Sequence, residues 1–84
     1  MCMSCFNYDH IERRSYVEFT ASNPILNYIY EEYKGRSNSI RLTSYNLIFT
    51  FSSMIKAKKF GKEVVDRVQR DFMGEYIGVK CYEE

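Results

Sequence analysis

MIKAKKFGKEVVDRVQRDF, residues 54–72, is patterned as one long amphipathic helix. At about 100° per residue, Met54, Ala57, Phe60, Gly61, Val64, Val65, Val68 and Phe72 fill one apolar arc. Lys56, Lys59, Lys62, Glu63, Asp66, Gln69 and Arg70 fill the other. A helix with so long an apolar side needs a sheet to cover. Ser52 or Ser53 is placed to cap its start, and Gly74 to end it. Gly61 stands inside the apolar arc, where a missing Cβ lets a helix approach a sheet closely.

Strand-like runs lie on both sides of this helix. Leu47, Phe49 and Phe51 alternate with Ile48, Thr50 and Ser52, in a run rich in strand formers and weak in helix formers. The competing reading makes residues 44–59 one helix, ending at Lys58-Lys59-Phe60-Gly61; the strand reading is preferred. Asn38 to Thr43 forms another strand, with Ile40 and Leu42 inward. Ser44-Tyr45-Asn46 joins the two, without the Asn-Gly or Asp-Gly pair that secures a tight hairpin. Before them, Asn23-Pro24 opens a helix of about eleven residues, with Leu26, Ile29, Tyr30 and Tyr33 on one side and Gly35 as a left-handed end. Ser15 to Ala21 alternates, with Val17, Phe19 and Ala21 on one face. Glu75 to Tyr82 closes the chain as a strand with Ile77, Val79 and Cys81 inward.

The order β-α-β-β-α-β is the split βαβ, or ferredoxin-like, arrangement of α+β proteins. Right-handed crossovers place the first and third strands in the centre of an antiparallel four-stranded sheet, with both helices on one face. Eighty-four residues make one domain. Residues 1–14 show no clear period and read as an irregular N-terminal arm, or a short strand around Cys5 to Tyr8, and residues 15–84 as the folded unit.

The bulk chemistry excludes several classes. Forty-five per cent hydrophobic residues and a formal net charge of +1 describe a folding chain without the basic excess of a dedicated nucleic-acid binder. No run approaches the roughly 18–20 apolar residues of a membrane span. No basic segment followed by an apolar core marks a signal peptide, so a cytoplasmic location is expected. Three cysteines, an odd number, then read as thiols rather than a disulfide framework. A composition rich in Tyr, Ser, Lys, Ile, Phe and Asn, with one Pro and no Trp, is that of AT-rich genomes, and points to a virus or phage.

Cys2-x-x-Cys5 with His10 is the sharpest local motif, since paired thiolates and an imidazole can grip zinc. Its spacing resembles the start of a retroviral-type zinc knuckle over about fourteen residues. Ser15 stands at the fourth ligand position and the knuckle's glycines are missing. Cys81 could supply the fourth ligand only if the arm folds back beside the last strand. No metal and no cofactor are therefore expected. Asp9 and His10 have no nucleophile placed beside them, and the four glycines form no phosphate loop, so no enzymatic activity is expected.

The outward sheet face is the candidate binding surface. Alternation places Tyr16, Arg41, Tyr76, Lys80 and Tyr82 there. Tyrosines with cations on an open four-stranded sheet resemble, in topology, RNA-recognition motifs, whose sheets stack bases. In this chain, however, Phe49 and Phe51 of the third strand are wanted in the core. Tyrosine also suits protein interfaces, giving large contact area at low rotamer cost. The expectation is a small binding or inhibitory protein that meets a host protein or a second copy of itself through this face. A single-stranded nucleic-acid module is the alternative. Lys56, Lys59 and Lys62 form a basic helix face suited to acidic partners.

Overall fold

The computed structural model describes residues 14–83. Its elements are β1 (Ser15–Thr20), α1 (Asn23–Tyr33), β2 (Ser39–Leu42), β3 (Asn46–Phe51), α2 (Met54–Asp71) and β4 (Gly78–Glu83). The four strands form one antiparallel sheet in the order β2-β3-β1-β4, so the first and third strands are central. This is the ferredoxin-like α+β fold.

Period two decides what each face holds. In β1 and β3, Val17, Phe19, Leu47 and Phe49 are fully buried, while Tyr16, Glu18, Ile48 and Thr50 between them are not. The buried set packs with Ile25, Leu26, Ile29 and Tyr33 of α1 and with Ala57, Phe60, Val64 and Val68 of α2, forming one core on one side of the sheet. Phe60 is its hub, with ring centroids 4.8 Å from Phe49, 5.0 Å from Phe51 and 5.4 Å from Tyr33. Gly61 sits where α2 crosses β1 and β4. A Cβ there would meet Val17 Cγ2 at 3.2 Å and Val79 Cγ2 at 3.3 Å, so close approach is its role.

The turn between β2 and β3 is closed without glycine. None of the described non-glycine residues takes a positive φ, so the left-handed hairpin turns are not used. Thr43 N–H donates to the Asn46 carbonyl at 2.8 Å, and the Thr43 hydroxyl accepts from Asn46 N–H at 3.1 Å. Ser53 caps α2, its hydroxyl accepting from Lys56 N–H at 3.2 Å.

Several expectations need correction. The cap of α1 is Ser22, one residue earlier, and its side chain makes no capping bond; Pro24 lies in the first turn. Gly35 is not left-handed: Lys34 ends the helix in the right-handed region, and Arg36 N–H closes a right-handed turn on the Tyr33 carbonyl at 2.9 Å. The positive φ among the described glycines belongs to Gly74, at 88°, beyond the end of α2 at Asp71. Leu42 points to the helix side but is 50% exposed, because β2 is an edge strand beyond the helices' cover. Finally, β4 begins at Gly78 rather than Glu75. β1 ends at Thr20, whose partner is Gly78, so residues 75–77 have no ladder to join.

Candidate interaction surface

The open face carries the alternate residues of all four strands. The register sets Tyr16 opposite Tyr82 and Glu18 opposite Lys80, with Ile48 between Glu18 and Arg41. Tyr16 and Tyr82 stack, their centroids 5.2 Å apart at 28°. Lys80 Nζ lies 5.6 Å over the Tyr82 ring, a cation–π geometry. Tyr16, Arg41, Ile48, Thr50 and Tyr82 line a depression of about 430 Å³. Around it the small polar groups are tied down: Ser39 Oγ donates to Thr50 Oγ1 at 3.0 Å, and Thr20 Oγ1 to Asn46 Oδ1 at 2.9 Å. Burial raises the Tyr82 phenol pKa first; the negative Glu18 adds to this and Arg41 opposes it.

Four of the five expected face residues therefore come together, and Tyr76 does not. It stands ahead of β4, 71% exposed, at the opposite end of the strand from Tyr82. Its hydroxyl occupies the space a Gly78 side chain would fill, 2.5 Å from an ideal Cβ.

The basic helix face is also divided. Lys56 and Lys59 line a second cavity, whereas Lys62 lies outside it and pairs with Asp66 one turn along, at 3.5 Å. Cys2, Cys5 and His10 lie outside the described residues. Ser15, the fourth knuckle position, is fully buried at the start of β1, and its hydroxyl has no hydrogen-bond partner among the described residues. Cys81 lies on the inner face, its Sγ 3.7 Å from where a Gly61 Cβ would stand. Burial pushes its thiol pKa up, against the pull of Lys58.

Two polar clusters escaped the sequence reading. Arg36, just past α1, donates bidentately to Glu63 of α2 at 3.0 and 3.1 Å. That bond lowers the Glu63 carboxyl pKa and raises that of the guanidinium. Tyr28 Oη donates to Asp71 at 2.7 Å, which raises its phenol pKa, while Arg67 reaches Glu32 at 3.3 Å and Asp71 at 3.7 Å. Both tie α1 or its end to α2. Arg67 and Asp71 are one turn apart within α2, but the partners joined between elements are 27 to 43 residues apart, so no local pattern announces those ties.

Among the described residues no helix is long and apolar enough to cross a membrane. No model of a known protein family matches this chain, and no curated protein matches it in sequence.

Proposed function

We propose that this chain is a small non-enzymatic binding protein that engages a protein partner, a host protein or a second copy of itself, through the open sheet face. The stacked Tyr16–Tyr82 pair carries the reading. The two rings rest on each other and with Ile48 form a broad apolar centre, flanked by Arg41 and Lys80. Aromatic anchors inside a charged rim are the anatomy of a protein interface. The rim carries both signs, with Glu18 and Glu83 beside Arg41 and Lys80, and suits a partner with charges of both signs around an apolar patch.

The same face gives the second reading its support. Arg14, Arg41 and Lys80 surround the tyrosines, a combination that also tracks single-stranded nucleic acid. Against it, the outward residues of central strand β3 are Asn46, Ile48 and Thr50, so no ring stands free there to stack a base.

A salt series separates the two. The chain is immobilised, exposed to extract of its source cells and to a labelled single-stranded oligonucleotide, and washed at rising ionic strength. The proposal expects a protein to be retained through the series. Oligonucleotide binding that falls steeply with salt, with no protein retained, overturns it in favour of the second reading.

A further inference from the structure

Where β3 hands over to α2, the described residues line a second, solvent-open cavity of about 380 Å³. It lies away from the stacked tyrosines. Three cations line it: Arg36, Lys56 and Lys59. Its one carboxylate, Glu63, is taken up by the bidentate bond from Arg36. Lys56 and Lys59 have no carboxylate partner among the described residues. The cavity therefore holds a surplus of two positive charges in a chain whose formal net charge is +1. The surplus is not relieved by the helix. Lys56 stands in the first turn of α2, where no acidic residue is present and the backbone itself is electropositive.

The walls add two further properties. Asn38 and Ser52 add neutral polar residues to the cavity lining. Phe51 and Phe60, core residues only 8% and 3% exposed, show narrow ring edges on its apolar side. The volume falls within the roughly 300–1,000 Å³ of small-molecule sites. Two lysines one turn apart act as point charges that suit a doubly charged oxyanion, and the phenyl edges suit an organic body.

We propose that this cavity binds a small organic phosphate: a phosphate monoester whose dianionic head meets Lys56 and Lys59 and whose organic part lies against Phe51 and Phe60. Arg36 is fixed by Glu63 as a wall of the site and keeps its ion pair.

Calorimetric titration with phenyl phosphate and with inorganic phosphate, at low ionic strength, tests this on the full chain. Phenyl phosphate should bind saturably at one site, about threefold or more tighter than inorganic phosphate, since only the ester reaches the phenyl edges. Lys56→Gln with Lys59→Gln should weaken phenyl phosphate by about tenfold or more, with an unchanged melting curve. Lys58→Gln, on the same helix but outside the cavity, should leave affinity unchanged. Absence of saturable binding overturns the proposal. So does an equal loss on Lys58→Gln, which would mean diffuse attraction to the helix. Inorganic phosphate binding as tightly as its phenyl ester would overturn the organic half.

Discussion

The two faces of the sheet are built from alternate residues of the same strands, yet their side chains answer to different partners. On the helix side, Val17, Phe19, Leu47 and Phe49 meet apolar groups of α1 and α2 and are sealed from water. On the open side, Tyr16 leans on Tyr82, Lys80 covers Tyr82, Ser39 holds Thr50 and Thr20 holds Asn46. The first set is held by packing against other elements, so the fold depends on it. The second is held mostly within its own layer, so it can be altered with the fold intact, and that freedom makes it available for binding.

The contrast is broken most directly by charging the sealed side. Val68 is fully buried under the sheet. Val68→Asp should abolish cooperative melting, since an unpaired buried carboxylate costs several kcal/mol against a total of about 5–15. On the solvent arc of the same helix, Lys59→Asp should shift stability by less than about 1 kcal/mol. Equal effects in a denaturant titration would mean the helix faces another way.

Gly61 sharpens the comparison by volume rather than charge. Gly61→Leu should cost about 1–3 kcal/mol or more, because even its Cβ would press on Val17 and Val79. For Gly61→Ala, the helix-propensity gain of about 1 kcal/mol offsets the tight contacts, and the melting point should barely move. A stable leucine variant would show that the helix stands further from the sheet than described.

Smaller effects belong to the polar ties at the edge of the core. The Glu63 carboxyl pKa is lowered in the folded state by Arg36, so its contribution is present above the ordinary carboxylate pKa. It is lost as pH falls through the lowered value. Both side chains are about half exposed, so solvent screening limits the pair to about 0–1 kcal/mol. Glu63→Gln should therefore narrow the gap in melting point between neutral and acidic pH. An unchanged gap would mean that the pair does not hold in solution.

The smallest effect is at Ser15. Its buried hydroxyl makes no hydrogen bond among the described residues, so Ser15→Ala should be neutral or stabilising by up to about 1 kcal/mol. Clear destabilisation would reveal a partner for that oxygen.

The sealed face was legible in the sequence because burial imposes a period. The 3.6-residue stripe from Ala57 to Val68 and the alternation through Val17 and Phe49 are what packing against one flat core demands, and they carry the topology with them. The open face was legible only as far as that alternation ran on the ladder. Tyr16, Arg41, Lys80 and Tyr82 follow from it. Tyr76 did not, because pairing stops where Thr20 meets Gly78, a limit set by the neighbouring strand. Leu42 showed the same dependence, since an edge strand's inward side is buried only if a helix reaches it. The Arg36–Glu63 bond and the cavity beside it join residues from separate elements, and only the folded chain puts them together.

If the open face binds while the sealed face folds, the two sides can be separated by mutation. The most direct test is the Tyr16→Ala, Tyr82→Ala double variant, followed by light scattering, partner retention and thermal melting in parallel. Removing the stack should lower stability by only about 0.5–1.5 kcal/mol, leaving a cooperative transition. Self-association or partner retention should fall by at least about tenfold, as expected for truncated interface anchors. A variant that melts like the parent and associates or retains its partner equally well would show that the stacked tyrosines are not the binding surface.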